Sequence, residues 1–197
     1  MKNFHFITGN ELNEGQLDQV AHLLFETGYY ELASLKNKLN LKPIAFQKVQ
    51  TLKPYAEYTH ILVCDDDVVG FFIAAKRDEI AEVEHSTPNW YRDENGLASA
   101  FHRINHFYTR EVLDTDYVVY ATAVAKPYRG SSAYKTLINY RKNLGRANHC
   151  TREVFVVWES NRAAKLFMKH EGAEILGTID CTDMCFKDTL LKGAWDI

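Results

Sequence analysis

"VAKPYRGSSAYKTL", Val124–Leu137, joins an apolar segment to a predicted helix. Residues 117–125 are mostly apolar and predict a buried strand, and a helical pattern begins shortly after Gly130. A helix begins with backbone N–H groups that lack acceptors within the helix, and its dipole adds partial positive charge there. Glycine and small side chains leave room for a ligand at this point. The junction therefore predicts a cradle for a phosphate or a diphosphate.

The same loop also has a purely structural interpretation. Ser131 or Ser132 would then cap the helix, and Gly130 would only be a turn residue. The loop matches neither of two common phosphate-binding patterns, G-x-x-x-x-G-K-[ST] and G-x-G-x-x-G. Arg129 and Lys135 are placed to add charge-assisted hydrogen bonds to a bound diphosphate. The loop alone leaves both interpretations open.

The whole residue pattern predicts a mixed α/β chain. A capping box from Asn13 to Gln16 and the apolar spacing after it predict a first helix that ends near Gly28. The polar turn at 65–67 joins two apolar strands into a hairpin. Strands are predicted over 4–8, 59–64, 68–75, 118–125, 153–158, 174–182 and 184–190. Helices are predicted over about 17–28, 31–38, 97–111, 132–146 and 162–171.

A second motif lies in the stretch WESNRAAKLFMKHEGAEILG, residues 158–177. Asn161 stands between a strand and a helix, and Gly172 ends that helix. Ala164 and Met168 share one of its faces. With this segment the chain resembles the GNAT superfamily of N-acetyltransferases. The residues in register with the two family motifs are Val124, Arg129 and Leu137 in the first and Asn161, Ala164 and Gly172 in the second.

The resemblance implies a single domain over residues 1–197, with a central mixed, mostly antiparallel sheet of about six or seven strands and helices on both faces. It implies an enzyme that passes an acetyl group directly from acetyl-CoA to a primary amine of a small molecule or peptide. Acetyl-CoA is the co-substrate, and no metal is implied. The edge of the central strand would bind the pantetheine arm, and the loop amides would bind the diphosphate. The residues implied in acetyl-CoA binding are Ala123, Val124, Ala125, Arg129, Gly130, Ser131, Ser132, Ala133, Tyr134, Asn161, Ala164 and Met168.

Four positions depart from the family pattern, and one of them, Ala173 in place of the usual phenylalanine, is expected to alter only packing. Ser132 stands where the family has its second glycine, and Tyr134 stands where it has a small residue. Met168 stands where many members have a tyrosine that protonates the leaving thiolate. Serine keeps a small side chain and a backbone N–H, whereas tyrosine is expected to reshape the mouth of the loop. The general acid is therefore unassigned.

The general base is also unassigned. Transfer requires a neutral amine, and a lysine-like amine is almost wholly protonated at neutral pH, so a base or a chain of waters is needed. Tyr120 and Glu159 are the tentative candidates, and Asp116 and Thr122 are further ones. Each also has a structural interpretation, as a buried hydroxyl or as a surface carboxylate at the end of a strand.

Residues 82–111 form a connection that is longer than most, and long connections often carry function. We expect this segment to be an acceptor-side insertion that walls the acceptor site and sets substrate choice. The alternative is that its aromatic residues, Tyr108 among them, belong to the ordinary core.

Two further groups of side chains are expected to be structural. His102 and His106 share a helical face but lack the adjacent glutamate of an H-E-x-x-H zinc site, so they are expected to line an aromatic face. Arg141, Lys142 and Arg146 are expected to form a solvated basic face near the end of their helix. A CoA ribose phosphate is the alternative partner of that basic face.

Two other functions fit the same residues. One is transfer of a longer acyl chain, from acyl-CoA or acyl carrier protein, through a loop relaxed by Ser132 and Tyr134. The other is a non-catalytic regulatory module that keeps the CoA cleft, as Met168 and the missing base would allow.

The composition limits the partners. The chain has 197 residues and a formal net charge of −3, which gives no electrostatic footprint for nucleic acid or an anionic membrane. No apolar run is long enough to span a membrane and the start has no signal-peptide pattern, so a cytoplasmic location is expected. The 4 cysteines include no C-x-x-C pair and are expected to be reduced. An exposed edge among the final strands would allow a homodimer.

Overall fold

The structure is a computed structural model that describes residues 4–28, 52, 55–79, 103–104, 106–182 and 188–197. Its strands are β1 (Phe4–Thr8), β2 (Thr59–Cys64), β3 (Asp67–Lys76), β4 (Asp116–Val124), β5 (Arg152–Trp158), β6 (Glu174–Asp180) and β7 (Thr189–Asp196). Its longer helices are α1 (Glu14–Gly28), α2 (Ala133–Ala147) and α3 (Arg162–His170). A short helical turn covers residues 106–109. The helix predicted over 31–38 lies outside the described residues, and so do residues 97–102 and 105 of the helix predicted over 97–111.

One sheet contains all seven of these strands, in the order β1-β2-β3-β4-β5-β7-β6. β4 and β5 are parallel, and every other neighbouring pair is antiparallel. Parallel neighbours require a crossover connection, and α2 supplies it between β4 and β5. The prediction of a mixed, mostly antiparallel sheet is confirmed.

Helices cover both faces of the central strands because successive side chains of a strand point to opposite faces. Phe72 belongs to a buried cluster with Leu137 of α2 and Met168 of α3. Its neighbour Phe71 belongs to a second cluster with Val20 of α1. Burial on both faces explains why β3 is apolar along nearly its whole length.

The start of α1 confirms the predicted capping box. The Gln16 amide donates to Asn13 Oδ1 at 2.9 Å, and the Asn13 amide donates to Gln16 Oε1 at 3.3 Å. Two backbone groups that the helix itself leaves unpaired are thereby satisfied by side chains. The helix that follows is described as far as Gly28, after which the chain lies outside the described residues.

The last strand lies further along the chain than predicted. A strand was expected over 184–190. Residues 184–187 lie outside the described residues, and β7 spans Thr189–Asp196, six residues beyond the predicted end. Lys192 and Gly193 interrupt the apolar pattern, so the local sequence carries no strand signal there. Both are nevertheless part of the sheet, because Lys192 is buried and a Cβ at Gly193 would collide with neighbouring core side chains. The position of this strand is set by tertiary packing.

Gly70 lies where a side chain of α2 packs directly against the sheet. A Cβ at this position would stand 2.6 Å from the Ala123 carbonyl oxygen and 2.7 Å from Leu137 Cδ1. We expect Gly70→Ala to lower the free energy of unfolding by about 1–3 kcal/mol, because β4 and α2 must shift to make room. The midpoint of urea denaturation measures this effect.

Gly15→Ala is the matched control. A Cβ on Gly15 would meet only Asn13 Oδ1, at 3.4 Å, and alanine favours the helix over glycine by up to about 1 kcal/mol. We expect this variant to be at least as stable as the wild type. Equal losses in both variants would contradict the close approach at Gly70.

Candidate functional site

β4 and β5 separate halfway along their length. Backbone pairing joins Asp116–Val119 to Arg152–Phe155, and no register is formed beyond Val119 and Phe155 in the described strands. The burial of both strands decreases at the same point, from Tyr120 in β4 and from Val156 in β5. The sheet therefore has a V-shaped opening between its two parallel strands.

A β-bulge marks the vertex of this opening. Ile73 of β3 pairs with Ala121 and the next residue, Ala74, pairs with Val119, so Tyr120 is the extra residue. The Tyr108 hydroxyl donates a hydrogen bond to the Val119 carbonyl oxygen. A bulge bends its strand and re-aims the groups after it, so β4 turns away from β5 here. Tyr108 satisfies a backbone oxygen at the vertex.

Alternation in the β3–β4 ladder shows which groups line the opening. The Ala125 amide donates to the Val69 carbonyl at 2.8 Å, so Ala125 faces β3. Opposed residues in an antiparallel pair are hydrogen-bonded at every second position, so Ala123 also faces β3. Thr122 and Val124 then direct their backbone groups to the β5 side. Of the predicted strand-edge residues Ala123–Ala125, Val124 is the one whose amide faces the opening.

The loop after β4 is held by its own side chains. Arg129 Nε donates to the Val124 carbonyl at 3.0 Å, which orients the guanidinium along the end of the strand. Gly130 has φ +78°, a left-handed conformation that favours glycine. The Ser131 hydroxyl donates to the Tyr128 carbonyl and accepts from the Ala133 amide at 3.2 Å. Ser131 therefore has the structural role that the sequence left open for one of the two serines.

Other amides of this loop have no acceptor among the described residues. Ser132 occupies the N-cap of α2 and makes no side-chain capping bond. In the described part of the chain, no acceptor is found for the backbone N–H groups of Gly130, Ser132, Tyr134 and Lys135. The loop thus combines internal hydrogen bonds with a set of free donors at a helix N-terminus. This arrangement suits an anionic group.

The residues of the second motif have different environments. The Asn161 side chain accepts from the Ala164 amide at 3.1 Å and so caps α3. Met168 is buried, and its methyl group lies against Gly193 of β7, on the side of β5 away from the opening. Tyr134 contacts Phe167 edge-on with ring centroids 4.8 Å apart, which links α2 to α3. Burial raises the pKa of Tyr134.

Three of the candidate bases have polar partners. The buried Asp116 accepts two hydrogen bonds from Arg152, at 2.9 and 2.7 Å. Thr122 accepts a hydrogen bond from Arg141. The Glu159 side chain is 54% exposed and lies 3.8 Å from the ammonium of Lys165.

Tyr120 lies at the bulge itself. Its ring contacts those of Tyr55 and Tyr108, with centroid distances of 5.2 and 4.9 Å. It is therefore the candidate closest to the vertex of the opening, on the face of the sheet that α1 covers.

A buried lysine that the sequence did not indicate holds the turn that carries Tyr108. Lys192 Nζ donates to the carbonyls of Phe107 and Arg110 and lies 5.1 Å from the centre of the Phe107 ring. Burial lowers the pKa of Lys192. A cation at the end of a helical turn binds its unpaired carbonyls, so Lys192 fixes the turn to the sheet. The sequence around Lys192 does not indicate this contact, because the carbonyls that Lys192 binds belong to a distant part of the chain.

The basic face predicted on α2 is wrong for Arg141 and Lys142. Arg141 is buried and bonded to Glu153 of β5, and Lys142 donates to Glu171 at 2.9 Å. The Lys142 hydrogen bond lowers the pKa of the Glu171 carboxyl. Arg146 donates to the neighbouring Asn143 at 2.9 Å.

Two other kinds of site are absent from the described residues. Among them no helix is long and apolar enough to cross a bilayer. No three His, Cys, Asp or Glu side chains among them lie close enough together to hold a metal ion. Of the predicted histidine pair, His102 lies outside the described residues.

Comparisons with known proteins find likeness in structure alone. No family model matches the chain, and no curated protein sequence matches it. An N-acetyltransferase from Staphylococcus aureus Mu50 superimposes with a TM-score of 0.65 at 14% identity, over 97% of this chain and 100% of the other. An apo agmatine N-acetyltransferase variant gives 0.65 at 12% identity, over 98% and 99%. The NatC complex, solved with Gag peptide and CoA, gives 0.59 at 14% identity, over 99% of both chains.

These solved N-acetyltransferases share the overall architecture of this chain. The chain therefore has the fold of the GNAT superfamily, as its two motifs predicted.

Proposed function

We propose that this protein is an N-acetyltransferase that moves an acetyl group from acetyl-CoA to a primary amine. The observation that carries the proposal is one continuous surface. The unpaired edge of β4 beyond Val119 leads directly into a loop with free backbone N–H groups at the start of α2. An extended polar arm ending in a diphosphate matches such a surface in shape and charge, and acetyl-CoA has this form.

The donor would bind by two kinds of backbone contact. The pantetheine arm would add to the open edge at Thr122 and Val124, as peptides add to exposed strands. The diphosphate would accept from the amides of Gly130, Ser132 and Tyr134, with the helix dipole favouring its charge. Ala133 and the Asn161–Ala164 turn would border the arm. Met168, whose methyl group lies over β7, would support this wall from behind.

The reaction would proceed by direct attack of the amine on the thioester carbon. The new C–N bond forms first and gives a tetrahedral oxyanion, and the C–S bond breaks when this intermediate collapses. The amine loses a proton, and the CoA thiolate gains one. A backbone N–H beside the bulge would stabilise the tetrahedral oxyanion, since donors fixed in advance are effective at such a position. Tyr120, at the vertex, is the residue we propose to exchange protons with the substrate, directly or through water. Glu159 is the second candidate.

The acceptor would enter from the face of the sheet that α1 covers. Tyr108 and Tyr120 meet on this face, and Tyr108 belongs to the segment 82–111 that we propose as the acceptor-side insertion. Two proteins of similar fold are compatible with small or peptidyl amines as acceptors: one is an agmatine N-acetyltransferase, and another was solved with a peptide and CoA. Either class of primary amine is compatible with the proposal.

A second candidate is a CoA-binding module without catalysis. The position of Met168 favours it, because a thioether buried against Gly193 cannot protonate a thiolate. This candidate shares the donor cleft with the enzyme and differs only in turnover. The two are therefore separable by experiment.

The test measures binding first and transfer second. Titration calorimetry with CoA is expected to give saturable binding at one site, and S-acetylpantetheine, which lacks the diphosphate, is expected to bind much more weakly. Acetyl-CoA with a library of primary amines is then expected to release the CoA thiol. The acceptor should become about 42 mass units heavier, because an acetyl group replaces one hydrogen on its nitrogen. Butyryl-CoA and octanoyl-CoA test the longer-chain alternative.

Binding without thiol release across the library would favour the non-catalytic module. Absence of CoA binding would refute both candidates.

A further inference from the structure

A buried ionic network lies beneath the opening. The side chains of Arg141 and Glu153 are 3% and 0% exposed. Arg141 Nε and Nη2 donate to the two oxygens of the Glu153 carboxylate at 3.0 and 2.9 Å. The Trp195 indole N–H donates to the same carboxylate at 2.6 Å, and the Trp195 ring lies 5.8 Å from the guanidinium carbon. The network is electrically balanced, and each of its carboxylate oxygens is bonded.

Arg141 has a third contact that the ion pair does not require. Its Nη1 donates to Thr122 Oγ1, on the strand opposite Glu153. Glu153 lies in the part of β5 that is paired with β4, whereas Thr122 lies in the part of β4 that has no strand partner on that side. One guanidinium from α2 therefore joins the two strands across the vertex of the opening.

We infer that Arg141 is a positioning residue for the acetyl donor, through Thr122. This inference rests on the proposed function. Beyond Val119 the strand β4 is held by β3 on one side only, and Thr122 is one of the two residues whose backbone N–H and C=O face the opening. The planar guanidinium is held rigidly by Glu153, so it fixes the Thr122 side chain and with it the backbone groups that would bind the pantetheine arm.

A merely structural role would have a different signature. If Arg141 served only to hold α2 on the sheet, the bonds to Glu153 would suffice and the Thr122 hydroxyl would be dispensable for binding. The two roles are separated by changing Thr122 alone, because this leaves the ion pair intact. The readout is CoA affinity, measured beside the free energy of unfolding.

Thr122→Val removes the hydroxyl and nearly preserves the volume of the side chain. We expect it to bind CoA about three- to tenfold more weakly than the wild type by titration calorimetry, the effect of losing one hydrogen bond. Thr122→Ser keeps a hydroxyl and is expected to recover most of that affinity. Thr178→Val, the same change on the outer strand β6, controls for the general effect of replacing threonine. If Thr122→Val does not fold, Thr122→Ala is judged by the same criterion.

The outcomes distinguish this inference from the proposed function. Wild-type protein that does not bind CoA refutes both. Wild-type binding with an affinity change below twofold in Thr122→Val refutes the positioning role and leaves the proposed function intact. Equal weakening in Thr122→Val and Thr122→Ser also refutes it, since the hydroxyl would then not be the group that matters. Weakening in Thr122→Val with recovery in Thr122→Ser supports it.

Discussion

Glu153→Gln is expected to lower the free energy of unfolding by about 3–5 kcal/mol, the cost of leaving one member of a buried ion pair without its partner. The Arg141 side chain is 3% exposed, so its charge cannot be hydrated in the folded state once the carboxylate is removed. Glutamine also offers a single acceptor oxygen where the carboxylate accepts from Arg141 and Trp195. Urea denaturation followed by tryptophan fluorescence and by circular dichroism measures the loss.

Two control variants test whether the loss of stability comes from the buried ion pair. Glu159→Gln, at the exposed end of the same strand, is expected to change stability by less than about 0.5 kcal/mol, because its ion pair with Lys165 is solvated. The double variant Arg141→Met, Glu153→Met is expected to regain part of the loss, since it removes both charges together. If the free energy of unfolding of Glu153→Gln lies within about 1 kcal/mol of the wild-type value, which is roughly the error of such measurements, the network is hydrated and the prediction is wrong.

The sequence predicted those parts of the site that depend on local signals. Gly130 and the serines after it indicated a strand-to-helix junction with room for an anion, and the structure has free amides there. The structural interpretation applies to Ser131, and the other amides of the loop remain available for the anion that the functional interpretation proposes. Ser131 acts locally, whereas Ser132 leaves its N–H free.

Contacts between distant segments could not be predicted. Arg141, Lys142 and Arg146 have the spacing of a solvated basic face, and only the positions of Glu153 and Glu171 in space make two of them ion-paired. Likewise, the residues next to Lys192 in the sequence do not predict that its ammonium group binds carbonyls of the turn at 107–110. Helical spacing predicts which residues share a face of the helix. It does not predict which residues of other elements contact that face.

The bulge at Tyr120 was missed for a related reason. A bulge adds one residue to a strand without changing its composition, so the apolar run 117–125 has the same appearance with or without it. Its presence reverses the alternation after Tyr120 and turns Thr122 toward α2 and Arg141. One inserted residue therefore decides which backbone groups face the opening.

Ser132→Asp is expected to change stability and CoA affinity in opposite directions. Ser132 is the N-cap of α2 and makes no capping bond, whereas aspartate is a preferred N-cap and its charge interacts favourably with the helix dipole. We therefore expect the free energy of unfolding to stay constant or rise by up to about 1 kcal/mol. The same carboxylate would compete with the CoA diphosphate for the loop amides and repel it. CoA affinity is expected to fall about 10- to 100-fold, or about 1.4–2.7 kcal/mol.

Asn143→Asp is the matched control, because it adds the same charge to the same exposed side of α2. It lies about 16 Å further along the helix axis, from a rise of about 1.5 Å per residue, and the Debye length at physiological salt is about 8 Å. CoA affinity is therefore expected to stay within about twofold of the wild type. Titration calorimetry and thermal denaturation of both variants check the pair.

If Ser132→Asp binds CoA with wild-type affinity, the diphosphate does not bind at this loop. If Ser132→Asp is less stable than the wild type, the fold already requires the Ser132 side chain. Opposite signs in one variant cannot arise from partial unfolding, since unfolding lowers stability and affinity together.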